Sequence, residues 1–318
     1  MINVLSVFDG MSCGQIALNK CGIKYHNYFA SEIDKHAIKV TQDNYPDTIQ
    51  LGNIRNINLK DLPSIDLMIG GSPCQGFSTS GKRLGFEDWR SKLFFEYVKI
   101  LKEIKPKYFL LENVKMKKTD QDIMSKYLDT EPIEINSSLV SAQNRKRLYW
   151  TNIPNIEAPR NKNIFFKSIT EGAREDLGLA TRENNIVIPK DSTSEFFVSA
   201  QHHSSCGLIF LGALMGKNVK RRIDSNKSSA GTFPQGYRVY SEYGNSPTIR
   251  TTGFSDFFEI KNVIRRITKL ECERLQTVPD NYTKSVSSAQ AMKMLGNGWT
   301  VDVITHIFKE LLNDKDFC

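Results

Sequence analysis

The sequence lacks the signatures of several protein classes. None of its six cysteines forms a CxxC pair and its five histidines follow no ligand spacing, so we do not expect a structural zinc site. No apolar run is long enough to span a bilayer, and the segment MINVLSVFDG lacks the basic stretch and cleavage site of a secretory signal. We therefore predict a cytoplasmic protein with reduced cysteines and no membrane partner.

Repeats and low-complexity tracts are also missing, which leaves a globular fold as the expectation. The 318 residues are 40% hydrophobic and 25% charged, and they suffice for one large domain or two modest ones. The net charge of +8 favours a polyanionic partner without establishing one, because many basic proteins bind no nucleic acid.

The first third of the chain alternates β-rich runs with helical patterns. Strands are predicted at 3–8, 25–32, 48–54, 65–71 and 108–114, separated by helices at 14–22, 35–45 and 90–104. Continuous apolar runs such as IDLMI and YFLL indicate strands that are buried on both faces. The alternation predicts a doubly wound α/β fold, in which helices cover both faces of a parallel sheet.

Regular patterns fade in the middle of the chain and return near its end. Two strands joined by a polar turn are predicted at 138–153, whereas 157–262 has scattered Pro, Asn, Ser and Gly and no clear period. Helical patterns return at 268–276, 287–298 and 300–312, the first of them opened by a capping box of Thr268 and Glu271. We predict one discontinuous domain, 1–156 with 263–318, interrupted by a smaller irregular domain at 157–262.

A ligand pocket is predicted at the ends of the first strands. The segment FDGMSCG (8–14) places glycines between a strand and a helix, where the backbone approaches a ligand closely. Glu32 ends the second strand, where an acid meets a ribose hydroxyl in doubly wound sheets, and Asn53 ends the third, near an adenine edge. The incomplete GxGxxG pattern makes a dinucleotide less suitable than another nucleoside ligand. An ordinary glycine turn beside an exposed acid is the alternative.

Four separated segments carry the residues suited to chemistry: 72–75 (SPCQ), 112–114 (ENV), 143–147 (QNRKR) and 296–298 (GNG). Because the carboxyl ends of parallel strands share one edge, we expect Cys74 and Glu112 to converge beside the ligand loop. The alternatives are a packing cysteine, a surface glutamate and solvated arginines at Arg145 and Arg147.

These segments, with RRITKLECERLQTVPDNY and LGNGWTVDV, occur in the order found in the DNA (cytosine-5) methyltransferases, which the chain resembles along almost its whole length. The resemblance implies a Rossmann-like class I methyltransferase sheet, S-adenosylmethionine as cofactor and double-stranded DNA as substrate. FDG and the run KLFFEYVKILKEIKPK also look like the animal de novo branch, more loosely.

The resemblance assigns roles to four catalytic residues. The thiolate of Cys74 attacks C6 of a cytosine flipped out of the duplex, and C5 then accepts the methyl group. Protonated Glu112 hydrogen-bonds N3 of the base, Arg147 holds O2, and Arg145 helps to position Cys74 and the base.

It also implies two sets of binding residues. Cofactor contacts are expected from Phe8, Asp9, Gly10, Gly14, Glu32, Ile33, Asn53, Ile54, Pro73, Leu93, Asn297 and Thr300. DNA contacts are expected from Ser78, Ser80, Lys82, Arg83, Arg90, Gln143, Gln235, Arg238, Thr248 and Arg250. A basic cluster at Lys217, Lys220, Arg221, Arg222 and Lys227 is expected to contact phosphates.

Three departures from the family pattern affect the cofactor end of the site. Asn53 stands where relatives usually carry Asp, so we expect a tuned cofactor site and not a lost one. Ser12 and Cys13 replace two frequent glycines and make that turn less permissive. GNGWTV replaces the commoner GNSVV, which leaves the contacts of Trp299 undetermined.

Several readings compete with DNA methylation. A tRNA methyltransferase branch exists, but its Cys-Phe-Thr tripeptide is absent here. A non-enzymatic DNA-binding paralogue would have lost residues that this chain keeps, and a nicotinamide oxidoreductase would leave PCQ and QNRKR unexplained. We expect a monomer of bacterial or phage origin. A cognate restriction endonuclease would be its partner in a restriction–modification system, and a phage or orphan role is the alternative.

Overall fold

The computed structural model describes residues 1–73, 92–172, 178–181, 186–187, 207–214, 238–251, 257–314 and 317. The chain divides into two compact units. The first unit comprises Met1–Asn136, Lys146–Pro159 and Gly298–Cys318, and the second comprises Ser137–Arg145 and Arg160–Asn297.

A seven-stranded sheet forms the centre of the first unit. Its strands are Ile2–Val7 (β1), Tyr25–Ser31 (β2), Ile49–Gln50 (β3), Leu67–Gly71 (β4), Tyr108–Val114 (β5), Ile133–Asn136 (β6) and Lys146–Thr151 (β7). Their order across the sheet is β3-β2-β1-β4-β5-β7-β6, and β7 runs antiparallel to both of its neighbours while the other pairs are parallel.

Seven α-helices are assigned in the described residues of the two units. They are Cys13–Cys21 (α1), Lys35–Asn44 (α2), Leu93–Ile104 (α3), Lys118–Leu128 (α4), Lys269–Leu275 (α5), Ser288–Asn297 (α6) and Val301–Lys309 (α7). The strand order reverses between β1 and β4, and right-handed crossovers then place successive helices on opposite faces of the sheet. The predicted doubly wound α/β fold is confirmed. None of the described helices is long and apolar enough to cross a membrane.

The core of the first unit lies where β1, β4 and β5 pack under α3. Their apolar runs bury Leu5, Met68 and Leu111 against Phe94 and Tyr97 of the helix. Buried polar groups in this core find partners, as they must in a low-dielectric interior. For example, the fully buried Trp150 indole donates a 3.0 Å hydrogen bond to Ser125 Oγ.

The second unit contains a sheet in a region where the sequence shows only irregularity. Its described strands are Gly178–Thr181 (β8), Ile186–Val187 (β9), Phe210–Leu214 (β10), Arg238–Ser241 (β11), Phe257–Ile260 (β12) and Val263–Arg266 (β13). They form a sheet in the order β8-β13-β12-β11-β10-β9. The irregular reading of 157–262 is therefore corrected. Strands of two to five residues are too short to produce a detectable alternation.

Two predicted strands are also corrected. Only Ile49–Gln50 of the predicted strand 48–54 is extended, and a 3₁₀ turn follows at Ile54–Asn56. In 138–153 the second strand exists as β7, but its hairpin partner is β6, and Ser137–Leu139 is a 3₁₀ turn. The residues between them belong to the second unit, where Gln143 forms a β-bridge with Ser246.

The three helices predicted at the end of the chain are present close to their predicted bounds, whereas helix α4 was not predicted. The capping box is confirmed, because Thr268 Oγ1 accepts from the Glu271 amide and the Glu271 carboxylate accepts from the Thr268 amide. Helix α4 buries only Met124, Ser125 and Leu128. Its charged exposed face obscured the i, i+4 pair of Met124 and Leu128 that signals it.

The predicted larger domain, 1–156 with 263–318, includes Ser137–Arg145, which belong to the second unit, and it also includes residues 263–297. These residues lie in the second unit, because β13 pairs with β12 and β8 and because α5 packs against α6. Which function each unit performs remains a prediction.

A buried ion pair anchors the second unit. The guanidinium of Arg265 lies 2.5 Å from Glu271 Oε1 and 3.0 Å from Oε2, and both side chains are fully buried. Arg265 also donates to the Gly172 carbonyl and to Thr170 Oγ1. Burial alone would raise the pKa of Glu271, but the hydrogen bonds and charge of Arg265 and the Thr268 amide outweigh it and lower that pKa.

Replacing Arg265 by Met should strongly destabilise the second unit. The substitution leaves the Glu271 carboxylate buried without its cation, which costs about 3–5 kcal/mol for such pairs. Arg274→Met, which breaks a partly exposed pair with Asp280, is the control and should cost about 1 kcal/mol or less. Urea unfolding followed by far-ultraviolet circular dichroism measures both variants, and equal costs would contradict the prediction.

Candidate active site

The register of β1, β2, β4 and β5 places the carboxyl ends of these strands level with one another, and the candidate site residues lie at these ends. Val7 of β1 pairs with Ser31 of β2 and with Gly70 of β4. Gly71, the next residue of β4, pairs with Glu112 of β5. The turn after β1, the residue after β2, the end of β4 and Glu112 therefore lie along one edge of the sheet.

The turn after β1 has an unusual backbone. Phe8, Gly10 and Ser12 have φ values of 58°, 61° and 62°, in the left-handed region that favours glycine. Two non-glycine residues in this region cost about 1–3 kcal/mol each, and such strain is found where a loop is held for function. Hydrogen bonds from the Asp9 amide to the Ser31 carbonyl and from the Ser12 amide to the Asp9 carbonyl hold the turn.

The two glycines of this turn serve different purposes. A Cβ at Gly14 would overlap Ile69 Cδ1 and lie 2.6 Å from the Tyr28 hydroxyl, so α1 needs a glycine to approach the sheet. A Cβ at Gly10 would meet nothing within 4 Å, so the backbone there faces open space. Because no side chain covers the backbone at Gly10, a ligand can approach the main chain of this loop closely.

Glu32 holds the turn in place from the end of β2. Its Oε2 accepts a 2.8 Å hydrogen bond from the Gly10 amide, and its Oε1 accepts from the amides of Ile33 and Asp34. The side chain of Ile33 is 74% exposed, which is unusual for a large apolar residue in a tight turn. An acceptor carboxylate beside an exposed apolar side chain fits the ribose and the base of a nucleoside.

Asn53 and Ile54 lie on the neighbouring loop. Asn53 Oδ1 accepts from the Arg55 amide and caps the 3₁₀ turn, so Asn53 is a capping residue and not the end of a strand. Ile54 is buried in the core, and Leu93 at the start of α3 packs against the same core.

Asp9 is a half-buried residue in this turn, and its carboxyl oxygen Oδ2 is shielded from solvent. Its Oδ1 accepts from the Tyr28 hydroxyl at 2.8 Å, while its buried Oδ2 has no hydrogen-bond partner. Burial raises the pKa of Asp9 to about 6, against the lowering effect of hydrogen bonds from Ser6, Tyr28 and Ser12, and the charge of Glu32 raises it further.

Glu112 is held between two donors at the end of β5. Arg147 Nε lies 3.0 Å from Oε1, and the indole Nε1 of Trp299 lies 3.2 Å from Oε2. The pairing of β5 with β7 explains the first contact, because Arg147 stands two residues along β7 from Tyr149, the direct partner of Glu112. The side chains of Arg147 and Glu112 are only 13% and 10% exposed.

The next residue connects β5 to the segment that leads to Cys74. Asn113 Nδ2 donates to Ser72 Oγ at 2.9 Å and contacts the Ser72 carbonyl at 3.3 Å, and all of these groups are buried. Ser72 is therefore held against the end of β5. Cys74 lies outside the described residues.

Arg145 and Gln143 are buried in the second unit. Arg145 donates to the carbonyls of Ile249 and Gly296 at 3.3 and 3.0 Å. Gln143 is fully buried, donates to the Leu275 carbonyl and to Gln276 Oε1, and accepts from the Ile249 amide. These contacts give both side chains a scaffolding role in the unit, and a DNA contact by Gln143 would require it to move.

The other predicted contacts are distributed over both units. Thr248 Oγ1 donates to the Asn144 carbonyl at 2.7 Å, and Arg238 and Arg250 are partly exposed. Asn297 is exposed at the end of α6, and Thr300 is buried before α7. The remaining predicted DNA contacts and the basic cluster lie outside the described residues, namely Ser78, Ser80, Lys82, Arg83, Arg90, Lys217, Lys220, Arg221, Arg222, Lys227 and Gln235.

Sequence reasoning missed three residues of this arrangement. Trp299 was noted only as a departure from a pattern, although a tryptophan beside GNG offers a hydrogen-bond donor at a predicted site. The sequence could have indicated Asn113, because this residue is adjacent to Glu112 in the segment ENV. Tyr28 carried no such indication, because a tyrosine in a strand is ordinarily a packing residue.

Comparison with known proteins identifies the family. The sequence profile of the C-5 cytosine-specific DNA methylases matches residues 2–313. The chain belongs to this family.

Several characterised relatives are enzymes of this class. The chain is 33% identical over 326 residues to the Type II methyltransferase M1.ScrFI of Lactococcus lactis subsp. cremoris, covering 97% of this chain and 77% of the relative. It is 26% identical to the Type II methyltransferase M.HhaI of Haemophilus parahaemolyticus, covering 99% and 96%. It is 31% identical to the orphan methyltransferase M.Rho11sI of Bacillus phage rho11s, covering 78% and 57%.

Solved structures confirm the fold. A prophage-encoded DNA modification methyltransferase from E. coli superposes with a TM-score of 0.65 at 20% identity, covering 98% of this chain and 99% of that one. The Entamoeba histolytica methyltransferase EhMeth gives 0.65 at 15% identity, covering 99% and 98%. The protein is thus a cytosine-specific DNA methyltransferase that uses S-adenosylmethionine, as predicted.

Replacing Asp9 by Asn should make the protein relatively more stable at neutral pH. An unfolded Asp titrates near pH 3.9, so a folded pKa of about 6 favours the protonated form on folding. That stabilisation is complete below the unfolded value and is lost as the pH rises through about 6. The melting temperature of Asp9→Asn relative to wild type should rise between about pH 4 and about pH 8.

The control is Asp47→Asn, the same substitution at an exposed aspartate, measured over the same pH range. A constant difference between Asp9→Asn and wild type across this range would show that Asp9 does not titrate as a buried acid.

Proposed function

We propose that the protein methylates C5 of cytosine in duplex DNA through a covalent adduct between Cys74 and C6 of a flipped base. The arrangement of Glu112 carries the proposal. This carboxyl group lies level with the end of β4, whose next residues lead to Cys74, and it is bonded to Arg147 in a largely buried position. An acid and a cation fixed together beside a nucleophile are what addition to a pyrimidine ring requires.

The reaction follows from the weak nucleophilicity of cytosine C5. The Cys74 thiolate adds to C6, the C5–C6 electron pair moves to C5, and C5 takes the methyl group of a sulfonium donor, whose sulfur keeps the electron pair of the broken C–S bond and leaves as a neutral thioether. A base then removes the C5 proton, the C6–S bond breaks, and the thiolate leaves. A thiolate suits both steps, because it is strongly nucleophilic and a workable leaving group.

Glu112 and Arg147 act on the ring while it carries the adduct. We assign to protonated Glu112 a hydrogen bond to N3, which stabilises the charge that develops when C6 is attacked. Arg147 has further N–H donors besides the Nε that contacts Glu112, and these can hold O2 of the base. Arg145 contributes indirectly, through the backbone of Ile249 and Gly296 that it holds.

S-adenosylmethionine supplies an electrophilic methyl group when bound. We assign its adenosine to the turn 8–14, Glu32, Ile33, Asn53 and Ile54, with Pro73, Leu93, Asn297 and Thr300 completing the site. The open face at Gly10 and the exposed side chain of Ile33 support this assignment. The unpartnered Oδ2 of Asp9 supplies a negative charge in the same turn at neutral pH.

Base flipping is part of the proposal, since C5 and C6 are inaccessible to a thiol inside a duplex. Residues 76–92 are glycine-rich and basic in sequence and are assigned to DNA contact. We assign target recognition to residues 157–262 and catalysis to 1–156 with 263–318. Contacts of Gln235, Thr248 and the arginines with DNA belong to the same proposal.

The biological setting is inferred from the relatives. M1.ScrFI and M.HhaI are named Type II methyltransferases, whereas M.Rho11sI and M.SPRI of Bacillus phages are named orphan methyltransferases. We propose a monomer that acts in a bacterial cytoplasm, either with a cognate endonuclease or as a phage or orphan enzyme. Bisulfite sequencing of DNA from expressing cells would report activity and target sequence together.

Replacing Cys74 by Ala should abolish methyl transfer and preserve DNA binding, because it removes the nucleophile and no other group. Transfer of labelled methyl from S-adenosylmethionine to DNA and a gel-shift assay measure the two properties. Cys21→Ala is the control, since the Cys21 thiol donates to the Thr305 carbonyl where α1 packs against α7, and this variant should keep full activity. Full activity of Cys74→Ala would refute the covalent mechanism, and labelling of tRNA in place of DNA would refute the substrate.

Replacing Glu112 by Gln should lower the single-turnover rate by about 10²–10⁴-fold, the usual loss for a positioned proton donor. Gln keeps the size of the side chain and cannot deliver a proton to N3. Glu134→Gln on the neighbouring strand β6 is the control, because its exposed carboxylate only pairs with Lys115 and Lys146. A wild-type rate for Glu112→Gln would remove this residue from the mechanism.

A further inference from the structure

Trp299 occupies a special position beside the proposed catalytic acid. Its indole Nε1 donates a 3.2 Å hydrogen bond to Glu112 Oε2. Arg147 Nε contacts the other oxygen, Oε1, at 3.0 Å. The two donors therefore approach the carboxyl group from different sides.

A glycine makes room for this contact. A Cβ at Gly71 would lie 2.9 Å from Trp299 Nε1 and 3.2 Å from Glu112 Oε2, closer than such atoms normally approach. Gly71 is also the strand partner of Glu112. Because Gly71 has no side chain, the indole N–H group of Trp299 has room to contact the Glu112 carboxyl group at the end of β4.

The main chain of Trp299 is fixed independently of this contact. Its carbonyl accepts from the Cys13 thiol at 3.8 Å, at the start of α1. The next residue, Thr300, is buried at the start of α7, which packs against α1. The indole is therefore presented to Glu112 by a packed helical framework.

We propose that Trp299 is a positioning residue that fixes the plane of the Glu112 carboxyl group. The last torsion of a glutamate is broad, so a single donor leaves the carboxyl plane free to turn. One donor on each oxygen removes that freedom and aims the group at a substrate atom. The indole N–H suits this task, because it donates only and cannot compete for the proton that Glu112 carries.

This role rests on the proposed function, in which Glu112 meets the ring of the base. If Trp299 had only a structural role, a different part of its side chain would matter. Packing would require the ring of Trp299 but not its N–H group, and Phe would replace it. The two roles are therefore separable by removing the N–H group and by observing it directly.

The contact itself can be observed without any activity. The chain has three tryptophans, so a ¹⁵N-labelled sample of the full chain gives three indole N–H signals. Loss of a signal in Trp299→Phe and in Trp150→Phe assigns two of them. In Glu112→Gln and in Gly71→Ala the Trp299 signal should shift, while the Trp150 signal, whose partner is Ser125, should stay in place.

The functional effect is measured as the single-turnover rate of methyl transfer at saturating cofactor and DNA. Trp299→Phe should lower this rate by about tenfold, as expected for the loss of one hydrogen bond that holds the carboxyl group in place. Trp150→Phe loses a similar indole hydrogen bond elsewhere in the same sheet and should keep the wild-type rate.

Two results would overturn the proposal. One is a Trp299 signal that does not respond to Glu112→Gln, and the other is a wild-type rate for Trp299→Phe. If the wild-type protein transfers no methyl group to any DNA, the proposed function fails instead, and the indole signals still decide whether Trp299 and Glu112 are in contact.

Discussion

The parallel register of β1, β4 and β5 is the constraint on which the first unit depends. Val7 opposite Gly70, and Gly71 opposite Glu112, put the turn after β1 and the Glu112 carboxyl group on one edge. A shift of one residue would turn Glu112 to the other face of the sheet. The register is fixed by the apolar side chains of the same strands, since Leu5, Met68 and Leu111 must meet α3. The packing of the core therefore also fixes the relative positions of the residues at this edge of the sheet.

The polar side chains at this edge of the sheet are held by hydrogen bonds, and several of the donors are backbone amides. Glu32 is bonded to three amides, Asn113 to Ser72, and Glu112 to Arg147 and Trp299. Side chains with several fixed partners lose little further freedom when a substrate binds, which is the physical content of preorganisation. The strained φ values of Phe8 and Ser12 fit the same pattern, because the bonds around the turn hold a backbone that would otherwise relax.

Strands and helices with long apolar patterns could be predicted from the sequence, whereas the convergence of Cys74 and Glu112 stays a prediction because Cys74 lies outside the described residues. Short elements could not be predicted, because β9 and β3 have two residues each and β13 has four, which leave no period to detect. Helix α4 was hidden by its charged face, and the hairpin of β6 and β7 was misplaced because SLVSA (138–142) has a strand-like composition but belongs to the second unit.

The motifs along the chain determined the family, and an acid, arginines and a glycine turn are among the residues that the proposed site uses. Only the tertiary structure decided which partner each one has. Arg147 contacts Glu112 because β7 runs antiparallel to β5, and Trp299 reaches it because α7 packs on α1 and Gly71 has no side chain. These contacts join residues 35 to 187 positions apart in sequence. No local pattern encodes such pairs, because their partners are chosen by how the sheet and helices pack.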